Sequence, residues 1–166
     1  MISVEQALDK ILSYVDVLEA EDRPILDCLG QVLAEDVYSN INVPPLDNSA
    51  MDGYAVRSGD TRGASRQSPR FLQVLGTVSA GSITQREVGP GTAIRIMTGA
   101  PIPKGADSVV MFEDTDEPQR HRVSTEIGIL CEVEPGLNIR RAGEDIAQGS
   151  LVLTKGTVLR PSEVGV

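Results

Sequence analysis

Apolar positions near the start of the chain recur with helical spacing. In SVEQALDKILSYV, Val4, Ala7, Leu8, Ile11, Leu12 and Val15 fall on one helical face. Ser3 and Gln6 make a capping-box pattern, in which each side chain satisfies an orphan backbone N–H. The spacing predicts a helix over about residues 4–17. A second helix is predicted over LDCLGQVLAED, with Leu26, Leu29, Val32 and Leu33 as its apolar set. Gly30 lies inside it and weakens it.

The texture changes at Val37. Short β-type runs follow, divided by glycine and proline: VYSNINV, FLQVLGTV, GTAIRIMT, DSVVMFE and HRVSTEI. Their length and spacing fit a small β-barrel or sandwich. Pro44 and Pro45 end whatever precedes them. TRGASRQSPR (61–70) reads as a polar loop and EDTDEPQRHR (113–122) as a charged hairpin end. LVLTKGTVL reads as two strands around a Lys-Gly turn. RPSEVGV reads as a helix start, with Pro161 supplying the fixed φ of a first turn. A helix that begins there and does not continue is expected of a piece of a longer protein. The fold class predicted is α+β, mainly β.

Composition narrows the functions. A chain of 166 residues suits one domain or two small ones and can bury a core. With no Trp and 3% aromatics, that core must be aliphatic. A net charge of -9 disfavours nucleic acid and anionic membranes as partners, since both bind through phosphate neutralisation. A small anion is still compatible, because a local site can be positive on a negative protein. Cys28, Cys131 and the single His121 cannot supply the four N/S ligands of structural zinc. Two free thiols suit a reducing compartment, and a cytoplasmic protein is expected. MISVEQALDK has no apolar stretch of the secretory-leader kind, and no run has membrane-spanning length.

Three stretches carry candidate chemistry. In PPLDNSAMDGYAV, Asp52 can bind a hard cation or position a phosphate through Mg²⁺. Gly53 beside it allows a sharp bend or close approach of a ligand, and Ser49 and Ala50 leave room. The same Asp-Gly pair also reads as a plain turn into the strand YAV. In AIRIMTGAPIP, Ile94 and Ile96 alternate with Arg95 and Met97, which puts Thr98 at a strand end beside a glycine bend. Its hydroxyl can hold a phosphate oxygen or a metal-bound water, or simply cap the turn. In NIRRAGEDI, Arg140, Arg141, Glu144 and Asp145 suit an anion site or a local ion-pair network. No Walker loop, dinucleotide fingerprint or Ser-His-Asp set is present.

Taken together and in order, PPLDNSAMDGYAV, RIMTGAPIPKGADSVVMFED and NIRRAGEDI closely resemble the MoeA family, the molybdopterin molybdenumtransferases related to the E domain of gephyrin. The resemblance spans essentially the whole chain. It implies insertion of molybdate into adenylylated molybdopterin with release of AMP, assisted by Mg²⁺. It implies Asp52 and Thr98 as catalytic residues and Ser49, Met51, Gly53, Tyr54 and Gly99 as substrate-binding residues. Asp52 is also the implied metal contact, and Glu113 and Asp145 are weaker candidates for site residues. The implied architecture is an elongated helix-plus-hairpin domain, residues 1–45 with 141–166, into which a small β-barrel-like domain, residues 46–140, is inserted. A MogA-like third domain and a fourth, β domain follow in the family and are absent from these 166 residues. The family also implies a homodimer and contact with MogA-type biosynthesis proteins. The chain by itself is therefore expected to be inactive. The alternative that the resemblance leaves open is a non-catalytic scaffold of the gephyrin type. One departure is PPL, where many members carry an aromatic residue before DNSAMDGY.

Overall fold

The computed structural model describes residues 2–120 and 125–166, with the Arg120 side chain left aside. His121 and the start of the predicted strand HRVSTEI lie outside the described residues. The fold is mainly β with few helices, as the alternation implied. Packing divides the chain into two units. One comprises the residues up to Tyr38 together with Leu151–Val166; the other is Ser39–Ser150. Residues 39–45 and 141–150, assigned by sequence to the first domain, pack in the larger unit. There Val43 bridges Ile146, and the Gly143 N–H donates to the Pro44 carbonyl.

The smaller unit opens with α1, Val4–Leu12, capped by Ser3 and Gln6 as predicted. The Gln6 N–H donates to Ser3 Oγ at 3.2 Å, and the Ser3 N–H to Gln6 Oε1 at 3.1 Å. The helix stops short of residue 17 because its last turn tightens. Tyr14 and Val15 donate to carbonyls three residues back, and the Ser13 hydroxyl takes the Lys10 carbonyl. The second predicted helix does not form. Only Ile25–Asp27 makes a helical turn, and Gly30 sits at φ +81, where a helix cannot continue. Gly30 and Leu33 instead donate to the carbonyls of Leu159 and Thr157. Helical periodicity here was produced by a 3-10 turn followed by an irregular segment that pairs with residues 157–159.

The predicted LVLTKGTVL hairpin is corrected by the same pairing. Strand β9, Leu151–Leu153, runs antiparallel to β1, Val37–Tyr38, and Val158 bridges Val32. The two halves of LVLTKGTVL thus pair with residues 32–38 rather than with each other. A short helix, α3 (Pro161–Val164), closes the unit with Pro161 in its first turn, as read from sequence.

The larger unit is built on a five-stranded sheet that curls into a half-barrel. Its strands are β3 (Gly53–Val56), β4 (Arg70–Val78), β5 (Thr92–Ile96), β6 (Ser108–Met111) and β7 (Glu126–Ile129), in the order β6-β3-β5-β4-β7. Only β4 and β5 run parallel, with a register shift between Val74 and Thr77. Both faces are covered. Tyr54, Val56, Ala93, Val110, Ile127 and Ile129 fill one side. Ala55, Val78, Ile94, Ile96 and Val109 fill the other. The alternation Ala93, Ile94, Arg95, Ile96 assigns each residue to its face. This core is aliphatic apart from Tyr54. A smaller pair, β2 (Asn48–Ser49) with β8 (Ile139–Arg140), lies outside the main sheet. The stretch read as a hairpin end is corrected in part: Glu117–Arg120 forms a helical turn, α2, preceded by a 3-10 turn at Phe112–Asp114.

Gly53 is required by close approach of backbone. It pairs with Ile96 on one side and Met111 on the other. An added Cβ would lie 2.0 Å from the Val110 carbonyl oxygen. The crowding partner within the fold is strand β6. Gly53→Ala is expected to lower the unfolding free energy by about 2 kcal/mol or more, the cost of overpacking against backbone. Gly59→Ala, where an added Cβ meets nothing within 4 Å, serves as the control. Urea denaturation of both variants checks this, and equal midpoints would refute the clash.

Candidate functional site

The three sequence motifs meet in the larger unit. Residues 47–50 run between the other two. On one side, Ser49 and Ile102 donate to the carbonyls of Ala100 and Asp47, and Gly99 donates back to Ser49 at 2.8 Å. On the other, β2 pairs with β8, and the Ala50 N–H donates to the Asn138 carbonyl at 2.9 Å. Asn138 is held at φ +57, a conformation asparagine tolerates, while its side-chain amide donates to the Val109 carbonyl. Sequence inspection missed Asn138; its signal was an asparagine directly after the apolar Leu137.

Asp52 and Thr98 are brought together at the exposed edge of this assembly. Asp52 precedes β3 by one residue, and Thr98 follows β5 by two. Asp52 Oδ1 accepts from the Thr98 backbone N–H at 2.7 Å and from the Thr98 hydroxyl at 2.7 Å. These bonds favour the ionised form. The Thr98 N–H, followed by the Thr98 hydroxyl, holds the Asp52 carboxyl below the usual aspartate range, with Arg95 adding a smaller attraction. Thr98 stands in a tight turn closed by the Ala100 N–H on the Met97 carbonyl at 2.9 Å, with Gly99 at φ +79.

The other predicted residues divide by exposure. Met51 and Gly99 are exposed beside the pair. Ser49, Gly53 and Tyr54 are buried, so they shape the loop from beneath. Ser49 Oγ donates to the Met51 carbonyl at 2.5 Å. Glu113 lies in the turn whose first N–H, that of Phe112, donates to the Asp52 carbonyl at 3.0 Å. Asp145 is engaged by Arg140, whose Nη2 lies 2.6 Å from both carboxylate oxygens. Arg141 Nη1 and the Ala142 N–H hold Asp47 at 2.6 and 2.8 Å. The ion-pair reading of NIRRAGEDI therefore describes these contacts.

The donors near Thr98 are already used. The N–H groups of Met97, Thr98, Gly99 and Ala100 all have protein acceptors, and the Thr98 hydroxyl proton points at Asp52. What this edge presents is acceptors: Asp52 Oδ2 and the lone pairs of Thr98 Oγ1. Such a surface takes hydrogen-bond donors or a cation. It is not by itself a metal centre. Among the described residues, no three carboxylates, thiols or imidazoles converge on a point. Asp52 can supply one ligand to a divalent ion and no more. Cys28 and Cys131 are free thiols, and burial with Asp114 nearby pushes the Cys131 thiol up.

A two-faced curled sheet with the three motifs on one edge defines a MoeA-type N-terminal region. The solved molybdopterin biosynthesis MoeA protein from Pyrococcus horikoshii OT3 superimposes with a TM-score of 0.87 at 41% identity, covering 97% of this chain and 41% of that one. The family model described as the MoeA N-terminal region (domain I and II) matches residues 2–166, and the chain belongs to that family. A Bacillus subtilis molybdopterin molybdenumtransferase is 40% identical over 160 residues, which is 96% of this chain and 37% of the relative. Molybdopterin molybdenumtransferase 2 of Mycobacterium tuberculosis H37Rv is 43% identical over 143 residues, covering 86% of this chain and 34% of the relative. The chain thus spans a little over a third of the length of the curated relatives it matches.

The Asp52 carboxylate should titrate below an ordinary aspartate, as followed by carboxylate NMR. Because its folded pKa is depressed, the linked stability is present above the unfolded value and is lost as pH falls through the folded one. Thr98→Val removes the hydroxyl and keeps the backbone donor, so only part of the depression should disappear. A full return to the ordinary aspartate value in that variant would contradict the order of the two bonds.

Proposed function

We propose that this chain is the N-terminal part of a molybdopterin molybdenumtransferase acting in molybdenum cofactor biosynthesis. The longer protein inserts molybdate into adenylylated molybdopterin and releases AMP. The observation that carries the reading is the exposed Asp52 carboxylate, oriented by two bonds from Thr98 where the three family motifs meet. Support comes from relatives bearing that enzyme name over 86–96% of this chain.

The role of each group follows from what it presents. Thr98 fixes the direction of the Asp52 carboxylate and extends its ionised range to lower pH. Asp52 Oδ2 then accepts from a donor group of the substrate or contributes one ligand to Mg²⁺, which assists at the pyrophosphate when bound. The described residues of this chain offer no cluster that would complete the coordination of such an ion. The substrate's phosphate and molybdate oxygens need hydrogen-bond donors, and residues 97–100 offer none free. The 166-residue chain is therefore inactive alone and contributes one wall of a site.

A chimera tests this: the present chain replaces the matched region of the Bacillus subtilis relative, and molybdate-dependent AMP release is measured. The chimera should turn over, the chain alone should not, and Asp52→Asn should lower the chimera's rate by about 10²-fold, typical of losing one preorganised electrostatic group. A folded Asp52→Asn chimera with unchanged rate would remove Asp52 from the mechanism. Turnover by the chain alone would overturn the shared-site reading.

A further inference from the structure

Beneath the Asp52–Thr98 pair, Tyr54 and Arg95 belong to a charged cluster centred on Glu117, a residue given no role so far. Tyr54 and Arg95 sit directly opposite each other on β3 and β5. Both reach Glu117, at the start of α2. The Tyr54 hydroxyl donates to Glu117 Oε2 at 2.5 Å, and Arg95 Nε donates to the same oxygen at 3.2 Å. Arg95 Nη2 lies 3.2 Å from Glu117 Oε1. Tyr54 is 0% exposed and Glu117 6% exposed. Burial and the adjacent Glu117 carboxylate push the Tyr54 hydroxyl well above its ordinary range, so it stays a donor.

The other end of Glu117 leads back to the site. Its N–H donates to Thr115 Oγ1 at 3.3 Å, and that hydroxyl donates to the Phe112 carbonyl at 2.8 Å. The Phe112 N–H donates to the Asp52 carbonyl at 3.0 Å. A closed circuit results. Glu117 holds Asp52 through the 112–117 turn, and it holds β3 and β5, from which Asp52 and Thr98 project, through Tyr54 and Arg95. Arg95 Nη1 also lies 3.9 Å from Met97 Sδ, on the segment that leads into Thr98.

We infer that Glu117 is a positioning residue for the Asp52–Thr98 pair, acting through Tyr54 and Arg95 on one path and the Phe112–Thr115 turn on the other. A carboxylate that only neutralised a half-buried arginine would need neither the tyrosine hydroxyl nor the return path to Asp52. The inference rests on the reading of Asp52 and Thr98 as the functional pair, and it deepens that reading by naming what sets their geometry.

The test uses the 166-residue chain and requires no turnover. Glu117→Gln keeps the side chain's size and removes its charge; Tyr54→Phe removes one hydroxyl. Ile127→Val, a core change on the same sheet face, controls for general loosening. Two signals are followed: hydrogen exchange of the Thr98 amide, which is bonded to Asp52, and the carboxylate NMR titration of Asp52. Glu117→Gln should speed Thr98 exchange by about tenfold while amides of β3 and β6 change by less than about twofold. Asp52 should shift toward an ordinary aspartate, and Tyr54→Phe should act in the same direction and more weakly. Ile127→Val should move neither signal selectively. Unchanged Thr98 and Asp52 signals in folded variants would overturn the inference, as would changes that only track the sheet amides. If Glu117→Gln does not fold, Tyr54→Phe decides by the same criteria. An inactive chimera alongside a selective Glu117 effect defeats the functional reading and leaves the positioning role standing. An active chimera without that effect does the reverse.

Discussion

Gly53 has a paired strand on each side, and no side chain fits between them. Its neighbours β5 and β6 close on it so tightly that the Val110 carbonyl occupies the place of a Cβ. This approach fixes the site. Asp52 leaves β3 one residue before Gly53, and Thr98 leaves β5 two residues after Ile96, the partner of Gly53. The register of one antiparallel pair therefore delivers a carboxylate to a backbone N–H and a hydroxyl. A slip of one residue would exchange every inward and outward side chain of the strand and separate the pair.

The same register explains why a charged cluster is tolerated beneath an aliphatic sheet. Arg95 lies opposite Tyr54 on the face that also carries Ala93, while Ile94 and Ile96 point to the other face. A buried or half-buried charge needs a partner and satisfied hydrogen bonds. Glu117 meets both needs, because its carboxylate receives the tyrosine hydroxyl and two guanidinium nitrogens. No described buried side-chain nitrogen or oxygen lacks a partner.

The β half of the molecule was more legible in the sequence than the helical half. Strand runs such as FLQVLGTV and AIRIM carry their period locally, and tight packing on both faces holds them to it. Asp52 and Thr98 were singled out as a pair only by the family resemblance, because each, at a strand end beside a glycine, also reads as a plain turn. The reason for Gly53 was not legible, since close approach of a strand distant in sequence leaves the same letter as a turn. LDCLGQVLAED misled because apolar spacing alone does not tell an irregular segment from a helix when a glycine at φ +81 breaks it. LVLTKGTVL misled because a local turn was in place while its strands paired with distant residues. Glu117 was hidden in EDTDEPQRHR. Among so many charges, only tertiary structure distinguishes the one that is buried.

The chemistry of the exposed edge argues for a division of labour. An oxyanion is bound by N–H groups, hydroxyl protons or cations. Around Thr98 the backbone donors are committed to Asp52, Ser49, Met97 and Val78. Arg140 and Arg141, the cations nearest β2 in the pairing, are committed to Asp145 and Asp47. A substrate carrying phosphate, offered to this edge, therefore meets acceptors and a net negative protein. Its favourable contacts here run through its own donors, such as ring N–H groups, hydroxyls or an accompanying cation. The proposed transferase consequently needs a second, donor-rich surface to hold the anionic groups, with Asp52 fixing the opposite side of the substrate. A carboxylate in that position gains from rigidity, because an acceptor that turns away leaves the substrate's donor unpaired in a partly desolvated site. The two bonds from Thr98 and the circuit through Glu117 supply that rigidity from opposite directions.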